Sequence, residues 1–147
     1  MKRKVIVCDI DGMVLNTQFI LDEIHELGLK GEDEWEYFCK NCNSDRVQLM
    51  PRIKEYLSGL HSEVGRFFMT ARNEKCVEET AKKLESFKIR VDRLYMRIQN
   101  DLRPACEIKR EHLLQIMEEF DIIAFIDDNL QNCEMAKELG ILALRRV

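Results

Sequence analysis

Two short apolar runs, each closed by a pair of acidic residues, constrain this chain more than anything else in it. Val5-Ile6-Val7-Cys8 leads into Asp9-Ile10-Asp11-Gly12, and Ile122-Ile123-Ala124-Phe125-Ile126 leads into Asp127-Asp128. Short apolar runs rich in β-branched residues and bounded by charge read as strands buried on both faces. Such strands belong to parallel sheets, and parallel neighbours must be joined by crossovers, usually helices. The rest of the sequence supplies both. One further run begins near Val64 and ends in Phe67-Phe68-Met69, Val91 to Met96 is another, and Ile141 to Leu144 follows Gly140. Helical spacing fills the intervals: Ile53, Tyr56, Leu57 and Leu60 behind Pro51, then Cys76, Val77, Thr80, Ala81 and Leu84. Ile108, Leu113, Ile116, Met117 and Phe120 follow Pro104, and Cys133, Met135, Ala136 and Leu139 are stopped by Gly140. The expected fold is α/β, a three-layer Rossmann-like domain with a five-stranded parallel sheet.

One stretch breaks the rhythm. Residues 17–48 carry two helix patterns, Phe19 to Leu27 and Glu34 to Asn41, with no strand between them. They are expected to form a small helical cap inserted after the first strand, within a single domain spanning 1–147. A lid that small leaves an open mouth, which would admit a polymer end, a nucleotide, or a second subunit of a homodimer acting as cap.

Composition narrows the setting. No apolar run approaches the ~18 residues of a bilayer span, and the stretch after Met1-Lys2-Arg3-Lys4 is too short for a signal sequence. A cytoplasmic protein is expected. Cys39-Lys40-Asn41-Cys42 has the spacing of half a zinc site or of a redox pair, but no second closely spaced Cys or His pair accompanies it. The cysteines are therefore expected to be reduced thiols without a role. A net charge of −4 argues against a protein that coats nucleic acid. Arg90, Arg93, Arg97, Arg103, Lys109 and Arg110 still gather basic charge in one stretch, enough for an enzyme that handles a nucleic-acid end.

Open α/β sheets place ligands beyond the carboxyl ends of their strands. Asp9-Ile10-Asp11-Gly12, Thr70-Ala71-Arg72 and Asp127-Asp128-Asn129 all fall there. Four carboxylates, a hydroxyl and a guanidinium then share one edge. Crowded carboxylates raise one another's pKa, and a hard divalent cation relieves that repulsion. An all-oxygen ligand set suits magnesium better than zinc. Asp9 and Asp11, two apart in extended chain, point to the same side, and Gly12 permits a sharp turn beside an anion.

These three segments, with Lys109 as the lone lysine between Lys88 and Lys137, resemble the four signature motifs of the haloacid dehalogenase superfamily. The resemblance runs from near the start of the chain to near its end and implies an Mg2+-dependent phosphatase. It gives Asp9 as the nucleophile that forms an aspartyl-phosphate and binds the metal. It gives Asp11 as general acid and base, with its backbone carbonyl on the metal. Thr70 holds a phosphoryl oxygen, Lys109 offsets charge, and Asp127 and Asp128 complete the metal site. Met13 departs from the pattern, which has threonine there. Thr70-Ala71-Arg72-Asn73-Glu74, Leu94-Tyr95-Met96-Arg97, Asp101 and Arg103 are further similar to the phosphatase half of bacteriophage polynucleotide kinase-phosphatases. That likeness implies removal of 3′-phosphates from nucleic-acid ends, with Arg72 and Arg97 at the phosphate. No Gly-x-x-x-x-Gly-Lys-Ser/Thr loop is present, so kinase activity is not expected. A small-molecule phosphatase or nucleotidase, and a catalytically silent phosphate-binding module, remain the alternatives.

Overall fold

The apolar runs become strands, and the helical spacings become the crossovers between them. In the computed structural model, which describes residues 1–146, β1 (Arg3–Asp9) is followed by a two-residue β2 (Leu15–Asn16), α1 (Gln18–Leu27), α2 (Glu32–Asn41) and β3 (Gln48–Leu49). Then come α3 (Ile53–Gly59), β4 (Gly65–Asn73), α4 (Val77–Ser86), β5 (Arg93–Arg97), α5 (Ala105–Glu119), β6 (Phe120–Asp127), α6 (Leu130–Glu138) and β7 (Ala143–Arg145). Five strands pair in parallel in the order β5-β4-β1-β6-β7, the α/β architecture expected. β1, with its acidic terminus, therefore lies at the centre, flanked by the strands that carry Thr70 and Asp127.

Alternation along β1 divides the core in two. Ile6 and Cys8 face one layer with Ile10, Phe68 and Leu84, while Val5 and Val7 face the other with Phe67, Met69, Leu113 and Phe125. All of these side chains are buried, each stabilising by roughly 1.5–3 kcal/mol where a large apolar group is wholly covered. Gly65 lets β4 close on β1, since a Cβ there would stand 2.8 Å from Val5 Cγ1.

The insertion falls where the sequence put it, but its neck was not foreseen. β2 and β3 pair antiparallel through Leu15 and Leu49, clamping the start and end of the cap together. Two further differences have simple causes. β4 continues past Met69 to Asn73 because β5 pairs again at Asn73 after a register shift. Phe120 opens β6 instead of closing α5, because its backbone is extended (φ −128°, ψ 155°) and its ring packs on Phe67. One expectation is overturned outright. Cys39 is not a free thiol: it is joined to Cys76 in a disulfide, tying α2 to the turn before α4, whereas Cys42 is free and buried. Spacing alone could not show this, since the partners are 37 residues apart and meet only through the fold. No helix among the described residues is long and apolar enough to cross a membrane.

Candidate active site

Lys109 is the anchor of the rim. It lies on α5, is 3% exposed, and donates from Nζ to Asp9 Oδ1 at 2.9 Å and to Asp127 Oδ2 at 2.8 Å. β1 and β6 are neighbours, so their final residues present carboxylates side by side. Asp128 joins them: one ligand oxygen each from Asp9, Asp127 and Asp128 lies within 4.8 Å of the others. Gly12 makes this possible. Its φ is 79°, and a Cβ there would stand 2.3 Å from Asp128 Oδ2.

Local capping holds Asp127. The backbone N–H of Asn129 donates to its Oδ1 at 2.9 Å, and Asn132 Nδ2 donates to its Oδ2 at 3.1 Å. Asn129 also caps α6, accepting from Asn132 N. Burial pushes the Asp9 carboxyl well above its ordinary range, with Asp127 and Asp11 adding repulsion and Lys109 opposing it. Burial and Asp127 raise Asp128 as well. Lys109 moves up despite burial, because Asp9 and Asp127 hold its proton.

Asp11 sits beside this cluster in a different environment. Its carboxylate accepts from Arg72 Nη2 at 2.7 Å and Arg72 Nε at 2.9 Å, and from Thr17 Oγ1 at 2.7 Å. Burial alone would raise its pKa, but the paired guanidinium and the Thr17 hydroxyl bring it below the ordinary value. Thr70 Oγ1 is 3.4 Å from Asp11 Oδ2 and fully buried. Arg72 is 2% exposed, donates to Thr80 Oγ1 at 2.8 Å and lies 4.9 Å over the Phe38 ring of the cap. The cap thus touches the rim through an arginine already bound to Asp11.

Arg97 lies further out. Its guanidinium donates to the carbonyls of Ala71 (3.0 Å), Asp101 (2.8 Å) and Arg103 (2.6 Å), fastening the loop after β5 to the strand that bears Thr70. Between the cap and β4, an apolar recess of about 180 Å³ is lined by Asp11, Leu21, Trp35, Phe38 and Arg72.

The model of the HAD superfamily, subfamily IIIB (acid phosphatase), matches residues 1–142. The chain belongs to this family. It is a member of the haloacid dehalogenase (HAD) superfamily. No curated protein matches it. Among solved structures, a chain of the Pnkp1/Rnl/Hen1 RNA repair complex superposes with a TM-score of 0.76 at 23% identity, over 99% of this chain and 42% of that one. A haloacid dehalogenase-like hydrolase from Streptococcus pneumoniae gives 0.70 at 17% identity, over 97% and 84%. The class C acid phosphatase from Bacillus anthracis, with tungstate bound, gives 0.65 at 21% identity, over 90% and 54%. At such identities these likenesses speak for the fold. The chain spans less than half the length of the repair-complex chains it matches.

Within this HAD rim the structure brings together Asp9, Lys109, Asp127 and Asp128, with Asp11, Thr70 and Arg72 as a second group beside them. Arg97 stands apart, engaged with backbone. The donor set fits a hard divalent cation: three carboxyl groups offering oxygen ligands converge beside a single ammonium. The Asp11 carboxylate is not one of the three. Sequence reasoning missed Thr17, Phe38, Thr80 and Asn132. Only Asn132 left a readable sign, as the third residue after the α6 cap Asn129.

Proposed function

We propose that this HAD chain is a magnesium-dependent phosphohydrolase that works through an aspartyl-phosphate on Asp9, and that it acts on 3′-phosphorylated nucleic-acid ends or nucleotides. The observation that carries the chemistry is Lys109, buried between Asp9 and Asp127 at hydrogen-bonding distance from both. The paired carboxylates compensate the buried ammonium, and its grip on Oδ1 of Asp9 leaves Oδ2 to attack phosphorus. In the first half-reaction the Asp9–phosphorus bond forms, the bond to the leaving oxygen breaks, and Asp11 gives that oxygen a proton. In the second, water attacks phosphorus, Asp11 takes its proton, and Asp9 is regenerated with release of inorganic phosphate. Thr70 donates to a phosphoryl oxygen. A magnesium ion held by Asp9, Asp127, Asp128 and the Asp11 carbonyl would neutralise phosphate charge and orient it for in-line attack.

Asp11 needs both protonation states, and its environment supplies a way to alternate. Arg72 keeps it ionised, the form that activates water. A phosphate dianion arriving beside it adds negative charge, and like charge raises a carboxyl pKa. Arg72 therefore acts on the phosphate region through Asp11, and Arg97 through the loop it fastens beside Thr70. A cytoplasmic setting would expose the Cys39–Cys76 bond to reduction, so assays belong in both oxidised and dithiol-treated protein.

The open rim and the likeness to the repair-complex chain support the nucleic-acid reading. The apolar recess beside Asp11, with Trp35 in its wall, favours a second one: a mononucleotide whose flat leaving group lies under the cap. Phosphate release is to be measured from 3′-phosphorylated oligonucleotides, mononucleotides and an aryl phosphate, with magnesium and with a chelator. Hydrolysis of the aryl phosphate that stops on chelation, with the oligonucleotide preferred, is the expected result. Turnover indifferent to the chelator would overturn the metal assignment, and preference for mononucleotides would select the second reading.

A further inference from the structure

A groove that the phosphatase chemistry does not use begins where the carboxylates end. It measures about 250 Å³, with Met13, Tyr56 and Leu144 in its apolar wall and Arg52, Arg145 and Arg146 at its margins. The chain itself fixes its position. Met13 follows Gly12, which packs on Asp128. Arg145 Nε donates to the Asp128 carbonyl at 3.3 Å, and the Arg146 N–H to the Asp127 carbonyl at 3.1 Å. The groove therefore opens within one residue of the rim, on the β7 side and beside the neck of the cap.

Its chemistry is selective. Tyr56 is 40% exposed and Leu144 39%, so an aromatic ring and an aliphatic side chain face solvent together. Three arginines line it in a chain of net charge −4, Arg146 Nη1 donating to the Pro51 carbonyl at 3.1 Å, and among the described residues no acidic side chain lines the groove. Arg52 is held there at φ 67°, a left-handed conformation that glycine adopts freely and arginine does not. A free phosphate or a sugar phosphate would be satisfied at the rim and would leave this surface bare. Rings that stack bases beside cations that follow phosphates are what a single strand requires.

We infer that this groove carries a single-stranded polynucleotide away from the phosphatase rim, with Tyr56 under a base and Arg52, Arg145 and Arg146 along the phosphates. The inference rests on the nucleic-acid reading of the site, and the experiment separates the two. Binding of a 5′-fluorescein single strand ending in a 3′-hydroxyl is followed by anisotropy in chelator, so that neither hydrolysis nor metal enters. DNA and RNA strands are compared to learn which sugar is accepted. The wild type should bind with a log–log salt slope of up to roughly −2, at about −0.7 for each of three neutralised phosphates. Tyr56→Leu, which keeps the apolar volume, should weaken binding about five-fold or more. Arg52→Gln should flatten the slope by about 0.7. Both variants should hydrolyse an aryl phosphate at the wild-type rate. With a 3′-phosphorylated strand as substrate, they should raise KM and leave kcat unchanged. A wild type that does not bind the strand, or variants that bind it unaltered, would overturn the groove. A strand bound through Tyr56 whose 3′-phosphate is not removed supports the groove and overturns the 3′-end reading instead.

Discussion

Replacing Lys109 with methionine removes the charge that holds the rim together while keeping most of the stem that fills its space. Lys109 is 3% exposed and bonds two carboxylates, one fully buried and one 6% exposed. Removing one partner of a buried ion pair leaves the other charge uncompensated, at a loss of about 3–5 kcal/mol. With a urea dependence of about 2 kcal/mol per molar, the unfolding midpoint should fall by roughly 2 M in chelator at pH 8. The pH dependence follows from Asp9, whose carboxyl is already raised by burial and by Asp127 and Asp11. Without Lys109 it rises further, so the folded variant binds a proton that the unfolded chain releases at about 3.9. Its stability then falls as pH increases above that value, and the deficit against wild type narrows from pH 8 to pH 5. Adding magnesium at pH 8 should recover part of the loss, since a bound cation stabilises only the folded state. Urea titrations followed by circular dichroism, with and without chelator, read all three effects. Midpoints within about 0.5 M of each other at pH 8 in chelator, or a deficit independent of pH, would refute this electrostatic account.

The other expectations concern the turn and the cap. Gly12→Ala places a Cβ 2.3 Å from Asp128 Oδ2 at a φ of 79°, so the carboxylate must move, and left-handed backbone adds about 1–2 kcal/mol. Magnesium titration of aryl phosphate hydrolysis should show a raised metal requirement, against an unchanged one if Asp128 takes no part. Reducing Cys39–Cys76, which closes a loop with a sequence separation of 37, should lower stability by about 3–4 kcal/mol on the loop-entropy scale. Melting with and without dithiol tests this, and the Cys39→Ser, Cys76→Ser double variant should show no such response. Glu23 binds Tyr37 and Arg46 across the cap, and those hydrogen bonds keep its carboxyl below the ordinary value. Its contribution is full above about pH 4.3 and is lost as pH falls through the depressed folded value. Trp35, the single tryptophan, lies on the same helix as Tyr37, so its emission should shift in that range and should not in Glu23→Gln.

The sheet was legible because each strand is a short apolar run in a chain otherwise dense with charge. The carboxylate rim was legible for a related reason: Asp9 and Asp127 directly end the two strands richest in β-branched residues. What escaped reading depends on distance in sequence. Thr17 reaches Asp11 only because the cap folds back, and Phe38 covers Arg72 only because α2 lies over β4. The β2–β3 neck pairs segments too short to show alternation. Arg66, in β4, is a further case. It is 5% exposed and donates to the carbonyls of Leu57, Leu60 and His61, closing the end of α3. Arginine's fork of donors is equally suited to carbonyl oxygens and to phosphates, so residue type alone could not assign Arg66, Arg72 or Arg97.

The central claim is covalent. Enzyme mixed with substrate and magnesium and quenched in acid within a turnover should carry phosphate on its first tryptic segments. Borohydride reduction should convert Asp9, and no other aspartate, to homoserine, as read by mass spectrometry, and Asp9→Asn should yield neither. Sustained phosphate release with Asp9 unmodified at every quench time would contradict the account.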